Sequence, residues 1–262
     1  MSSEAITIYF ENELEFVPLE GLHFDGDFAA DLYQELRKPG SGLAYKNLLQ
    51  EPSILLSTSE TMPSGKMSRQ CEISEHSFLI SESRTKSTEE EFSESVTDVL
   101  KAVAEVRAET PPIFSQRSTV RSIWKPTHCR HPLVLLAGHA SRVIDKIDPF
   151  KRPPSFYGMR FRFTPADEED LKPFDNGLGG SVKDDYLTVR YEIYSDDTSY
   201  IWIEVESRRY FTEFMDISKT AEIAKNISET HEFMTNNGVA FLEQFDLPPD
   251  EEDGEEDDEQ QE

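Results

Sequence analysis

The residues with the most versatile chemistry in this chain are its 2 cysteines and 6 histidines, and four of these cluster. His128, Cys129 and His131 surround Arg130, and His139 follows eight residues later. Zinc is bound in proteins by about four nitrogen or sulfur ligands, usually arranged as two close pairs. Here the candidate ligands form one group, in which Arg130 would repel a cation. The pattern predicts a loop at the start of a helix, with no metal site and no cofactor.

Nucleophilic catalysis by Cys129 is the alternative chemistry for this cluster. A cysteine near a helix N-terminus can have a lowered pKa, which makes its thiol a better nucleophile. Such a site also needs a group that orients the histidine and donors that stabilise an oxyanion. Spacing identifies neither, and the 52 Asp and Glu residues are too abundant for any pair to indicate an acid and a base. The sequence therefore predicts no catalytic residues and favours a non-enzymatic protein.

A glycine-rich stretch at residues 176–181 (NGLGGS) has the composition of a phosphate-binding loop. Such loops end in Gly-Lys-Ser or Gly-Lys-Thr and lead into a helix whose backbone amides hold the phosphate. This stretch lacks that ending, and the pattern that follows it predicts a strand. We interpret it as a flexible connection.

Basic residues concentrate in one segment of an otherwise acidic chain. Residues 114–162 contain ten lysines and arginines against only Asp145 and Asp148, whereas the whole chain has a formal net charge of −26. In predicted strands, alternation places several arginines on the face opposite the apolar residues. These candidate ligand-binding residues are Arg117, Arg121, Arg160, Arg162 and Arg190.

The five arginines have two interpretations. If their strands are neighbours, the guanidinium groups form one sheet face that can bind phosphate or carboxylate groups bidentately, in an anionic ligand or nucleic acid. Alternatively, Glu192, Glu204, Glu206 and the final helix neutralise them through internal ion pairs. We favour the second interpretation and keep the first as the alternative.

A β-hairpin over residues 186–211 is the clearest local structure. Two runs of alternating apolar and polar residues flank the turn at Asp196-Asp197, which is typical of antiparallel strands with one buried face. Closing the strands around this turn places Tyr191 opposite Ile203. It also places Arg190 opposite Glu204, so we predict a cross-strand ion pair between these two residues.

Four amphipathic helices are also predicted. Their predicted starts are Asp25, Ser87, Pro132 and Asp216. Ser87 and Glu90 match a capping box, in which a hydroxyl and a carboxylate bind backbone amides of the first turn. The last helix is predicted to end near Thr235, before Asn237-Gly238.

The order strand, helix, three strands, long helix occurs twice. We therefore predict an α+β fold of two topologically similar halves, residues 1–110 and 111–249, each a mainly antiparallel sheet with packed helices. Acidic residues occupy ten of the last thirteen positions, so residues 250–262 are predicted to be a disordered tail.

Cytoplasmic location and no membrane association are expected. The first ten residues, MSSEAITIYF, lack the basic and apolar regions of a signal peptide. The apolar run at residues 133–138 is far too short to span a bilayer. Two cysteines are too few for a disulfide framework. The negative charge also repels nucleic acid and anionic membranes at long range.

Several stretches together resemble a known family. They are the strand SFLISES (77–83), the capped helix after it, the strand RSTVRSIW (117–124), the late hairpin, and a closing helix with Thr230-His231-Glu232 and Phe241. The chain resembles a sporadically distributed bacterial family of uncharacterised proteins of similar length. The resemblance implies a bacterial, cytosolic α+β protein of two halves, and it implies no activity.

These observations lead to one functional expectation and an alternative from another class. We expect a non-enzymatic interaction protein of a bacterial cytosol, an accessory or neutralising partner in a defence or toxin system, with a protein as its partner. The alternative is a binding module for an anionic ligand, phosphate-bearing or nucleic acid, on the arginine-rich face and gated by the acidic tail.

Overall fold

A computed structural model describes residues 4–17, 24–38, 45–49, 53–62, 65–107, 110–143, 146, 152, 154–163 and 185–248. The strands in these ranges are β1 (Ile6–Phe16), β2 (Asn47–Leu49), β3 (Ile54–Met62), β4 (Gly65–Ile73), β5 (Ser77–Ser83), β6 (Ile113–Trp124), β7 (Gly158–Phe163), β8 (Tyr186–Ile193) and β9 (Ile201–Met215). The helices are α1 (Gly26–Glu35), α2 (Glu89–Val106), α3 (Thr220–Phe233) and α4 (Val239–Glu243), with π-helical segments Val134–Ala140 and Met234–Gly238. The predicted glycine-rich loop and acidic tail lie outside the described residues.

All nine described strands belong to one antiparallel sheet, in the order β2-β3-β4-β5-β1-β6-β9-β8-β7. The prediction of an α+β fold with antiparallel pairing and packed helices is confirmed. The two expected sheets are joined, because β1 pairs with β6 from Ile6 opposite Ile123 to Phe16 opposite Ile113. The similarity of the two halves and the boundary at residue 110 stay predictions.

The helices cover one face of the sheet, which we call the inner face. Phe10 of β1 stacks on Phe92 of α2 with ring centroids 5.0 Å apart. Tyr191 of β8 stacks on Phe241 of α4 at 5.2 Å. Alternate strand residues are therefore buried under helices, and burying each large apolar side chain contributes about 1.5–3 kcal/mol. Among the described residues, no helix packs on the opposite, outer face.

The inner face also buries polar side chains at its centre. The Gln116 amide of β6 donates to the Asn12 carbonyl oxygen at 2.7 Å and to the backbone oxygen of Ile223 in α3 at 2.9 Å. Ser118 donates to Asn12 at 3.1 Å, and Ser207 donates to Asn226 at 3.2 Å. These hydrogen bonds tie α3 to three central strands and fix its position on the sheet.

A buried ion pair lies on the same face, between β4 and β5. Glu82 is fully buried, and its carboxylate accepts from Arg69 Nη2 at 2.8 Å and from Ser87 Oγ at 2.6 Å. The Thr85 hydroxyl also donates to Glu82 Oε1, the same oxygen that accepts from Ser87. Burial alone would raise the pKa of Glu82, but these hydrogen bonds and the guanidinium together lower it.

The helix starts agree with the sequence in one case and differ in another. Asp25 caps α1 as predicted, accepting from the Phe28 amide at 3.0 Å. The capping box of α2 is formed by Thr88 and Glu91 instead of Ser87 and Glu90, one residue later. The prediction is wrong by one position because the Ser87 hydroxyl is already bound to Glu82.

The last helix differs at both ends. Asp216 caps a turn through the Ser218 amide, at 2.8 Å, and α3 begins four residues later at Thr220. The helical chain then continues past Asn237-Gly238 through a π-helical segment into α4. The backbone oxygen of Gly238 accepts from Tyr191 at 3.0 Å, so contact with the sheet stabilises a segment that was predicted to end the helix.

The helix predicted from Pro132 is shorter than expected and differently wound. Residues 134–140 are π-helical, and Ser141 follows with its hydroxyl donating to the Leu136 oxygen at 2.8 Å. Arg142 then adopts a left-handed backbone conformation with φ of 52°, which ends the helix. None of the described helices combines the length and apolar character that crossing a membrane requires.

Candidate functional site

The outer sheet face carries the five predicted arginines together. The register of the strands places Arg160, Arg190, Glu204 and Arg121 side by side across β7, β8, β9 and β6. Arg117 lies four residues from Arg121 on the same side of β6. The predicted hairpin register is confirmed, with Tyr191 opposite Ile203 and Arg190 opposite Glu204. We call this surface the arginine face.

Three of the five arginines form ion pairs on this face. Arg117 contacts Glu11 at 3.3 Å and Glu13 at 2.8 Å, both on β1. Arg121 Nε donates to Glu204 at 2.6 Å. Arg190 Nε donates to Glu192, two residues along its own strand, at 2.6 Å.

The expected ion pair between Arg190 and Glu204 is therefore wrong, although their register is right. Glu204 lies between two arginines, and its carboxylate accepts from Arg121.

Aromatic side chains hold several of these guanidinium groups. Arg121 lies 4.3 Å from the ring centroid of Tyr9 and 5.9 Å from that of Trp202. The Arg190 guanidinium lies 5.3 Å from the centroid of the same Trp202 ring. Burial, followed by the hydrogen bond to Glu11, raises the pKa of Tyr9 above its ordinary range. The face is a lattice of cation–π and ion-pair contacts rather than an open cationic patch.

Arg160 and Arg162 are the exception on the arginine face. Both side chains are exposed on β7, and neither has an ion pair within the described part of the chain. Arg162 lies 3.9 Å from the ring centroid of Tyr186. These two residues are therefore the accessible cations of the face.

A second candidate site forms around the histidine and cysteine cluster. A surface groove of about 800 Å³ is lined on one side by His128, Cys129, Arg130, His139 and Arg142, and on the other by Gln244, Phe245, Leu247 and Pro248. We call it the basic groove. In the described part of the chain, no group of three or more His, Cys, Asp or Glu side chains is placed to hold a metal ion.

Asp246 joins the two walls of the basic groove. Its carboxylate accepts from the backbone amides of Thr127 at 2.5 Å, His128 at 3.0 Å and Cys129 at 2.6 Å. The side chain is nearly buried, with 8% relative exposure. Three amide donors satisfy and localise the negative charge, so Asp246 is a structural clamp between the loop after β6 and the segment after α4.

A third candidate site is a groove of about 560 Å³ between α2 and α3. We call it the acidic groove. Carboxylates of α2 line it, namely Glu89, Glu90, Glu94 and Asp98. Small side chains also line it, namely Ser93, Thr97, Ala221, Ala224 and Ser228. Ser93 is buried, with 7% relative exposure. Its hydroxyl has no hydrogen-bond partner among the described residues.

His231 lies beside the acidic groove and not in a catalytic arrangement. Its ring is 5.8 Å from that of Phe10. Burial lowers the pKa of His231, and the carboxylates of Glu89, Glu90 and Glu232 partly oppose that shift. His231 is therefore a half-buried residue that packs against the core.

Sequence reasoning missed the closing walls of both grooves. Asp246 is separated from its amide donors by 117 to 119 residues, so only the tertiary fold brings them together. No protein-family model and no curated protein matches the chain.

Proposed function

We propose that this chain is a non-enzymatic interaction protein of a bacterial cytosol that binds a basic segment of a partner protein in the acidic groove. It acts as an accessory or neutralising partner in a defence or toxin system. The observation that carries this proposal is the uncompensated charge of the groove. Glu89, Glu90 and Glu94 have no ion pair among the described residues, and the two lysines that line the groove contact Asp98 and Glu229 instead.

The two lysines that line the groove illustrate this point. Lys101 contacts Asp98 at 3.6 Å, and Lys225 contacts Glu229 at 3.5 Å. Each lysine is thus shared with a carboxylate of its own helix, which leaves the first two turns of α2 negative. The helix dipole favours acidic residues in the first turn, but Glu94 lies beyond that turn.

The shape of the acidic groove suits a protein segment. Small side chains between two helices let a partner backbone approach closely. Amphipathic helices commonly bind in grooves of this kind, with their anchoring residues on one face. A basic helix or strand would place its apolar side toward the alanines and its cations toward Glu90 and Glu94.

Net charge supports the same class of partner. A formal charge of −26 produces a field that speeds the encounter with basic proteins and slows the encounter with acidic ones. The arginine face has no such bias. Its neighbouring set of six arginines and six glutamates is formally neutral, namely Arg117, Arg121, Arg160, Arg162, Arg190, Arg208, Glu11, Glu13, Glu15, Glu192, Glu204 and Glu206.

The proposal is tested with a labelled basic peptide and matched charge variants. Glu90→Gln with Glu94→Gln removes two carboxylates of the groove that have no ion pair among the described residues. Asp31→Asn with Glu75→Gln removes two exposed carboxylates elsewhere that have no ion pair among the described residues. Fluorescence anisotropy should show affinity for a lysine-rich amphipathic peptide falling about fivefold or more in the groove variant, and about twofold or less in the control. Equal losses in both variants would remove the acidic groove as the site.

One observation favours the alternative function, which is the binding of an anionic ligand on the arginine face. Arg160 and Arg162 are exposed cations without ion pairs in the described residues. The other three arginines would have to break contacts with glutamates before binding an anion, which weakens this alternative.

A further inference from the structure

We propose that the basic groove binds a small phosphate-bearing molecule that also carries a planar or apolar group. This inference is independent of the function proposed above, because it concerns another surface and an opposite charge. Its starting point is an electrostatic contrast. None of the described residues that line the groove carries a carboxylate, although the chain contains 52 acidic residues and only 26 lysines and arginines.

The two arginines of the groove are available to a ligand. Arg130 and Arg142 are exposed and have no ion pair within the described ranges. The carboxylate of Asp246, in the segment that forms the opposite wall, is occupied by three backbone amides and is nearly buried. It therefore does not compete for the guanidinium groups. Guanidinium groups bind phosphate oxygens in a bidentate manner, and the neighbouring imidazoles of His128 and His139 can donate further hydrogen bonds.

The backbone that carries these cations is unusual in two ways. The segment Val134–Ala140, which contains His139, is π-helical. Arg142 has a φ of 52°, a conformation that non-glycine residues rarely adopt. Both features are energetically costly and concentrate at functional sites. Arg142 lines the same groove as Arg130.

The opposite wall of the basic groove indicates that the ligand also has a planar or apolar part. Phe245, Leu247 and Pro248 line it, and Leu247 is 67% exposed. An exposed apolar side chain beside two arginines suits a ligand with both a charged and a planar or aliphatic part. The groove volume of about 800 Å³ lies within the range of small-molecule sites, roughly 300–1,000 Å³. A nucleoside diphosphate has this combination of groups.

Isothermal titration calorimetry with ADP and with inorganic pyrophosphate tests the proposal. We expect both to bind, and ADP to bind more tightly because only ADP contacts the apolar wall. Arg130→Gln with Arg142→Gln should weaken both at least tenfold, by removing two charge-assisted contacts. The matched control is Arg160→Gln with Arg162→Gln, which removes the same charge from the arginine face and should leave both affinities within twofold.

A third variant separates the two parts of the ligand. Leu247→Ser should reduce the affinity for ADP and leave that for pyrophosphate unchanged. Absence of binding by both probes at millimolar concentration would overturn the proposal. Equal weakening by the two arginine pairs would also overturn it, because binding would then follow net charge and not this groove.

Thiol labelling locates the ligand without relying on affinity. Cys71 is fully buried, whereas Cys129 lies in the groove and is partly exposed. An uncharged maleimide should therefore modify Cys129 alone in the folded protein, as checked by peptide mass spectrometry. Saturating ADP should slow this modification several-fold. An unchanged rate at saturation would place ADP elsewhere and exclude the groove.

Discussion

Arg121 donates from Nε to a Glu204 carboxylate oxygen at 2.6 Å, although Glu204 also lies directly opposite Arg190 in the β8–β9 register. Both arginines are cross-strand neighbours of the same glutamate, because β9 lies between β6 and β8. Arg190 turns to Glu192 and to the Trp202 ring instead. Register alone therefore does not determine which charges pair on this sheet.

Double-mutant cycles can measure this preference. We expect a coupling energy of about 0.5–1 kcal/mol between Arg121 and Glu204, since the pair is only partly exposed and well aligned. The coupling between Arg190 and Glu204 should be about zero, within 0.3 kcal/mol. Alanine substitutions and urea unfolding give both values in one set of experiments. A larger coupling for Arg190 would contradict the observed pairing.

The sequence predicted this surface well at the level of strands and poorly at the level of partners. The period of two in β8 and β9 determined which residues share a face, and the short turn determined the register. The partners of Arg117, Glu11 and Glu13, lie about a hundred residues away on β1. Their proximity depends on the pairing of β1 with β6, which no local pattern indicates.

Local signals failed where tertiary contacts compete for the same side chain. Ser87 and Thr88 are both good capping residues, and the hydroxyl of Ser87 binds the buried Glu82. Asn237-Gly238 is a strong helix stop, but the hydrogen bond from Tyr191 to Gly238 supports a continuous helix. The sequence did not predict the basic groove for a similar reason, since Asp246 joins segments that are distant in sequence.

The buried ion pair predicts a large and pH-dependent effect on stability. Glu82→Gln keeps the shape of the side chain but leaves the Arg69 guanidinium without its carboxylate. We expect a loss of about 3–5 kcal/mol in the free energy of unfolding at pH 7. The exposed control Glu75→Gln should change it by less than about 0.5 kcal/mol.

The sign of the pH dependence follows from the lowered pKa of Glu82. A carboxyl group with a lowered pKa in the folded state contributes stability above its unfolded pKa and loses it as the pH falls through its folded pKa. The difference between the natural chain and Glu82→Gln should therefore shrink below the ordinary carboxyl value of 4.5. Urea unfolding at pH 7 and pH 3.5 measures it, and a constant difference would contradict this account.

The carboxyl group of Glu13, on the arginine face, should have the opposite effect on the pH dependence of stability. Burial is the largest cause of the raised pKa of Glu13. The Arg117 guanidinium partly opposes it, and the carboxylates of Glu15 and Glu11 raise the pKa further. The folded state therefore binds the proton more tightly than the unfolded state, and the charged form is destabilising. Glu13→Gln should increase the free energy of unfolding at pH 7 by on the order of 0.5 kcal/mol.

This gain should disappear as the pH falls toward 4.5, the ordinary value for the group, because both states of the natural chain then become protonated. Urea unfolding across pH 4 to 7 gives the test. Glu72→Gln, at another outer-face position, is the control and should show no such trend. A loss of stability at pH 7 would mean that the ion pair with Arg117, at 2.8 Å, outweighs the cost of burial.

The last prediction concerns Arg160 and Arg162, which decide the alternative function. Arg160→Ala with Arg162→Ala should change the free energy of unfolding by less than about 1 kcal/mol, because neither residue has an ion pair among the described residues and Arg162 contacts the Tyr186 ring instead. Arg117→Ala should cost more, since Glu11 and Glu13 of β1 would then lie together without that cation. Thermal and urea unfolding give this comparison.

The same double variant tests anion binding on the arginine face. We expect a single-stranded oligonucleotide to show no binding to the natural chain at about 150 mM salt, because the surrounding arginines and glutamates cancel and the net charge is −26. The chain ending at Pro249 is measured as well, since the alternative function expects the acidic residues 250–262 to compete for the face. Salt-sensitive binding to either chain, abolished by Arg160→Ala with Arg162→Ala, would establish the arginine face as an anion site. That result would favour the alternative function over the interaction protein proposed here.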